Sequence, residues 1–101
     1  VLHGASSVIP EYAQMIEQYG GSMPGAKGVP EDLLRKAASM AVCKINIDSD
    51  LRMAFTAAVR KHFVENPSHF DPRQYLGDAR ALIKECVKHK LVDVLGCNGK
   101  A

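Results

Sequence analysis

Three absences narrow the reading of this chain before any motif is considered. It has no apolar run near the ~20 residues that a membrane span needs, and its start carries no basic-then-apolar leader pattern. A soluble, cytoplasmic protein with no membrane partner is expected. It lacks charge of one sign: 13 Lys and Arg stand against 11 Asp and Glu, for a net +2, and the two signs are interspersed. That is the pattern of a solvated surface, so no nucleic-acid partner is expected. It also lacks paired cysteines. Cys43, Cys86 and Cys97 are odd in number and form no CxxC spacing, which reads as buried free thiols in a reducing compartment. At 101 residues with no low-complexity tract, the chain is at most one small domain.

What is present is most informative between Lys44 and Arg52. Ala41 to Ile47 is too short for a helix and rich in residues that suit a buried strand. Ser49 then reads as an N-cap, with Asp50 in the first helical turn. Polar residues at the carboxyl end of a buried parallel strand are where α/β enzymes place their chemistry. A second strand end opens the chain, Val1 to His3 followed by the small-residue loop Gly4-Ala5-Ser6-Ser7. Two such ends predict one site built from neighbouring β/α units.

Around these ends the pattern is helical. Pro10 suits a first helical position, and Tyr12, Met15, Ile16 and Tyr19 follow at helical spacing until Gly20-Gly21. Pro30 opens a second helix with Leu33, Leu34, Ala37 and Ala38 on one face. A third is predicted from about Asp50 to Glu65, with Leu51, Phe55, Ala58, Val59 and Phe63 along one side, ended by Asn66-Pro67. Asp71-Pro72 starts a fourth, from about Arg73 to Leu95, with a bend near Gly77 and Gly96 as C-cap. Strand, helix, helix, strand, helix, helix makes two β/α units of a parallel sheet. Two strands cannot bury such a sheet, and Val1-Leu2 reads as the tail of a strand. Residues 1–101 are therefore expected to be a C-terminal fragment of one larger domain. The period of two puts Ala41, Cys43, Ile45 and Ile47 on one face and Val42, Lys44, Asn46 and Asp48 on the other. In a barrel the second face points inward, with Asn46 and Asp48 at the mouth.

The candidate groups divide by charge. Asp48 would repel a phosphate and suits substrate hydroxyls, while Asn46 can donate to a carbonyl or enolate oxygen. The helix start after Asp48-Ser49 offers N–H donors and the positive dipole end to an anion. Gly4 to Ser7 reads equally as an anion loop or as a plain turn. Anion sites after the seventh and eighth strands are frequent in (β/α)8 barrels. Arg52, one turn beyond Asp48, suits a second phosphate or is an ordinary surface arginine. A lone His3 is more often structural than a ligand. A zinc ion there would need further ligands from outside the chain.

Taken together, the segments resemble the C-terminal part of a class II fructose-1,6-bisphosphate aldolase. Leu2-His3-Gly4-Ala5-Ser6-Ser7 is similar to the family's zinc-ligand and phosphate loop, and Cys43 to Arg52 to its strand-eight motif. Phe70-Asp71-Pro72-Arg73 matches its DPR element, and Val94 to Ala101 the ending of its shorter branch. The resemblance implies the last two β/α units of a (β/α)8 TIM barrel, and reversible cleavage of fructose 1,6-bisphosphate to dihydroxyacetone phosphate and glyceraldehyde 3-phosphate. A divalent metal, usually Zn2+, would act as Lewis acid. It implies His3 as one zinc ligand. Gly4, Ala5 and Ser6, with Asn46, Ile47, Asp48 and Ser49, would hold the dihydroxyacetone-phosphate half. Arg52 would hold the far phosphate, and Arg73 would reach that phosphate from a neighbouring subunit of a homodimer or larger oligomer. Ser49 stands where threonine is commoner, and either offers a hydroxyl. The family's other two metal histidines, its catalytic aspartate and its acidic mobile-loop residue have no counterpart here. The chain alone is expected to be inactive, its partner being the remainder of the barrel. A tagatose-1,6-bisphosphate aldolase is the nearest alternative, but such enzymes tend to carry a less acidic 47–49 segment and lysine at the Arg52 position. A small helical interaction module is the alternative from another class.

Overall fold

A computed structural model describes residues 7–100. The expected strand end at Val1 to His3, and with it His3, Gly4, Ala5 and Ser6, lies outside the described residues. The elements are α1 (Pro10–Gln18), α2 (Glu31–Ala38), α3 (Ser49–Glu65) and α4 (Pro72–His89), which continues into a π-helical turn, Lys90–Val94. Each start has a local cause. Pro10 and Pro72 occupy first-turn positions, where a missing N–H costs nothing. The Asp71 carboxylate accepts from the Arg73 N–H at 2.9 Å, capping α4. Glu31 and Asp32 open α2 while Arg35 and Lys36 close it, matching the helix dipole. At the far end Gly96 takes a φ of +63°, which lets the Cys97 N–H turn back to the Leu91 carbonyl at 3.0 Å. A Cβ on Gly96 would meet the Arg35 guanidinium, the far end of an exposed side chain that can move aside, so it is the positive φ that calls for glycine here.

The largest interface is between α3 and α4; α1 lies across α3, and α2 docks on the π turn. Small residues make this close approach possible: Ala54, Ala57 and Ala79 are fully buried, with Cys86, Ile9, Ile16 and Met53 around them. This corrects the expected face of α3. Its buried stripe is Asp50, Met53, Ala54, Ala57, Ala58 and His62, whereas Phe55 and Phe63 are exposed. Both neighbouring helices approach the alanine side, where the backbones can come closest, and the bulky rings are left on the other face. In α2, Leu34 is buried but Leu33 is exposed.

Other expectations are corrected too. The described residues contain no β-strand; Ile45 makes an isolated bridge in an otherwise irregular 41–48 segment. Strand hydrogen bonds need neighbouring strands, and the described residues supply none. Ser49 is the first residue of α3, not its cap; Asp48 holds the cap position without a side-chain cap bond. α4 passes Gly77 without a break. Only Cys86 of the free thiols is buried, Cys43 and Cys97 being exposed. Burial pushes the Cys86 thiol up, against a smaller opposing effect of its hydrogen bond with Tyr12. Among the described residues no helix is long and apolar enough to cross a membrane.

Candidate functional site

The rim predicted from the sequence lies at the start of α3. Asn46 and Asp48 are exposed, and Ile47 and Ser49 are half-buried. The Asp48 carbonyl accepts from the Leu51 N–H at 3.0 Å and the Arg52 N–H at 3.1 Å, so the helix begins tightly at this residue. The Asp48 carboxylate also accepts from Arg52 Nε at 3.0 Å. Both side chains are mostly exposed, 68 % and 78 %, and such a pair stabilises the fold by at most about 1 kcal/mol. Its consequence is positional: a guanidinium is held beside a helix start, one turn from a carboxylate and a hydroxyl. That arrangement can receive a ligand carrying both phosphate and hydroxyl groups.

Arg73 is not part of this rim. It sits in the first turn of α4, 90 % exposed, with Nη2 2.6 Å from Asp71 Oδ2. Its guanidinium beside Asp71 holds that carboxyl below the usual carboxylate range. α3 and α4 run antiparallel, and a helix of 17 residues rises about 25 Å. The start of α4 is therefore at the opposite end of the helix pair from Asp48.

Beneath the rim is a cluster that the sequence reading missed. Asp50, fully buried, accepts from the Ile9 N–H through Oδ1 at 2.7 Å and from the Ser7 hydroxyl through Oδ2. Lys90, 2 % exposed, donates from Nζ to Asp50 Oδ2 at 2.6 Å, Glu31 Oε2 at 2.8 Å and Ser7 Oγ at 2.9 Å. These use all three donors of the ammonium. Burial alone would lower the Lys90 pKa, but the hydrogen bonds to Asp50 and Glu31 outweigh it and leave it raised. Among the described residues no buried side-chain nitrogen or oxygen lacks a partner. The network ends in His89, which bridges Glu31 at 2.9 Å and Asp93 at 3.0 Å. A signal for it did exist. Ala79, Ile83, Cys86, Lys90 and Val94 recur at helical spacing, so Lys90 occupies a core position of its stripe.

A second polar group lies at the other end of α3. His62, buried, is 2.5 Å through Nδ1 from Asp78 Oδ2 and 2.9 Å through Nε2 from His69 Nδ1. Asn66 accepts the His69 N–H through its carbonyl at 3.0 Å, so this group ties the 66–71 connection to the helix pair. Among the described residues no cluster of His, Cys, Asp and Glu could hold a metal ion.

Residues 1–100 match the family model described as Fructose-bisphosphate aldolase class-II. Curated relatives agree. A fructose-bisphosphate aldolase of Treponema pallidum (strain Nichols) is 54 % identical over 101 residues, covering 100 % of this chain and 30 % of the relative. One of Giardia intestinalis is 53 % identical over 91 residues, covering 90 % of the chain and 28 % of the relative. One of Thermus caldophilus is 46 % identical over 101 residues, covering 100 % and 33 %. The chain thus spans about a third or less of the length of these relatives.

Proposed function

The chain belongs to the class II fructose-bisphosphate aldolase family, and from that premise we propose that it supplies the last two β/α units of a (β/α)8 barrel. The complete enzyme would cleave fructose 1,6-bisphosphate reversibly to dihydroxyacetone phosphate and glyceraldehyde 3-phosphate. The observation that carries this reading is the exposed start of α3, where Asp48 holds the Arg52 guanidinium at 3.0 Å beside Ser49. The relatives named fructose-bisphosphate aldolase favour it over the tagatose alternative. The family match across residues 1–100 sets aside an independent helical module.

In this reading each group of the rim has one task. Asn46 donates to a substrate oxygen next to the bond that breaks. Asp48 accepts from the sugar hydroxyls, whose protons point to a fixed carboxylate. The Ser49 hydroxyl and the α3 start, with Gly4, Ala5 and Ser6, receive the phosphate of the dihydroxyacetone half. Arg52 receives the far phosphate. Arg73, directed outward at the other end of the helix pair, would serve a neighbouring subunit, which makes the complete site a property of an oligomer. His3 would supply one zinc ligand. The described residues form no ligand set of their own, so the other ligands would come from beyond this chain. When bound, the ion would act as a Lewis acid toward the substrate oxygens. A cytoplasmic location fits a phosphorylated sugar substrate.

The test is Asp48→Ala in the full-length enzyme, assayed with fructose and tagatose bisphosphates alongside bound zinc. The ratio of the two kcat/KM values should fall roughly tenfold, the cost of about one hydrogen bond to a charged group, with zinc content unchanged. Loss of zinc with undiminished turnover per bound metal would contradict the role given to Asp48.

A further inference from the structure

We propose that His62 and His69 form a pH-operated latch that fastens the 66–71 connection to the α3–α4 pair and releases it in acid. The latch does not rest on the aldolase reading of the α3 start.

The connection is held in two ways. One is local: the His62 carbonyl accepts from the Asn66 N–H at 2.8 Å, and the Asn66 carbonyl from the His69 N–H at 3.0 Å. The Asn66 side-chain amide adds a bond to the same His62 carbonyl at 3.3 Å. None of these groups titrates. The other tie is the ring pair, His62 Nε2 to His69 Nδ1 at 2.9 Å. It returns the far end of the connection to α3.

The pair belongs to a line of three groups. Asp78 Oδ2 on α4 lies 2.5 Å from His62 Nδ1, so while that carboxylate accepts, Nδ1 carries its proton. Nε2 is then left to bond His69, and this link needs one proton between two nitrogens. Either a neutral His62 accepts from the His69 Nδ1–H, or a protonated His62 donates to the bare Nδ1 of a neutral His69. The two rings can therefore hold no added proton, or one. A second puts an N–H on both facing nitrogens, and no lone pair remains between them to accept. Two imidazolium rings in contact also repel, and His62 is 6 % exposed, so little water screens them.

The surroundings leave this balance to the rings. From α4, His62 faces Asp78 and the edge of Tyr75, with ring centroids 6.5 Å apart. On α3 itself, Lys61 and Glu65 lie 4.0 Å apart and line the same hollow as Asp78 and Glu85 of α4. Among the described residues lining it, α1 contributes Met15 alone. The flanking Lys61, Glu65 and Glu85 are exposed, where solvent weakens their pull. What the latch governs lies just beyond it. Phe70 is 89 % exposed, and the Asp71 carboxylate caps α4 and grips Arg73. With the rings parted, the chain leading into that cap keeps its local turn and loses its tie to α3. Protonated histidine pairs act as switches by this kind of change.

Hydrogen exchange on the full-length protein tests the latch, read at the His69 amide and its neighbours at about pH 8 and about pH 5, the interval over which imidazoles change charge. After correction for intrinsic rates, protection over 66–71 should fall roughly tenfold in acid, the net value of about one hydrogen bond. Protection over 53–58 in α3 should not change. His69→Ala should show the low value at both pH values. His69→Asn places an amide where Nδ1 stands, able to donate to His62 or accept from it, and should keep the high value at both. Equal wild-type protection at the two pH values would overturn the latch. So would an acid loss in His69→Asn as large as in wild type, or one that extends equally through 53–58, which is unfolding of the helix pair.

Discussion

The start of α3 contains two acidic residues, two positions apart, in opposite circumstances. Asp48 is exposed and holds an exposed arginine; Asp50 is fully buried and holds a buried lysine. Both are carboxylates, both pair with a cation at hydrogen-bond distance, and both belong to the same helical turn. The difference is solvent. At Asp48 water screens the pair, so the groups remain available to a ligand that can displace each other's company. At Asp50 water is absent, so the groups cannot be separated without leaving a bare buried charge. One pair is free to recognise, and the other is fixed and can only hold. Under the proposed function the exposed pair would recognise and the buried pair would hold its base, the arrangement expected of a preorganised site.

The sharpest way to break this contrast is to remove the lysine. Lys90→Met in the full-length protein keeps most of the side-chain volume but leaves Asp50 charged and unpaired, which should lower unfolding stability by about 3–5 kcal/mol. Adding Asp50→Asn should recover a substantial part. Chemical denaturation of the single and double variants checks both, and a single variant as stable as wild type would remove the distinction drawn between the two carboxylates. The smallest effect should come from the margin of the network. His89 has its pKa raised, first by Glu31 and then by Asp93, against a burial penalty. The folded state therefore holds the imidazolium proton more tightly than the unfolded chain does. The resulting stabilisation is fully present below the ordinary imidazole value and is lost as pH rises through the raised folded value. His89 is 40 % exposed, so screening limits the gain to a fraction of 1 kcal/mol. Comparing the pH dependence of Tm for wild type and His89→Gln should show a difference on the acid side that vanishes in alkali; a constant offset would show that His89 contributes packing alone.

The same pair of aspartates shows what could be read from the sequence. The i to i+4 relation between Asp48 and Arg52 follows from helical period alone, and the structure shows them bonded. The helices were legible too, because Pro10, Asp71-Pro72, Gly20 and Gly96 act through local geometry. The strand over 41–47 was not realised, since strand character is a statement about neighbours, and neighbours are outside the chain's local pattern. Helical spacing places Leu51, Phe55, Ala58, Val59 and Phe63 along one side of α3 but does not say which side is covered; the close packing with α1 and α4 selects Ala54 and Ala57. Asp50 and Lys90 were missed for a related reason. Reading charge as surface is right for most residues, and only the position of Lys90 on its stripe marks it as an exception. His3, Gly4, Ala5 and Ser6 rest on the resemblance and on the family match.

The most direct measurement is Arg52→Ala in the full-length enzyme, following Tm and KM for fructose 1,6-bisphosphate on the same preparation. An exposed guanidinium reserved for phosphate predicts an unchanged Tm and a KM raised at least roughly tenfold, as expected for a lost charge-assisted contact. A fallen Tm with an unaltered KM would mean that the start of α3 serves the fold and recognises nothing.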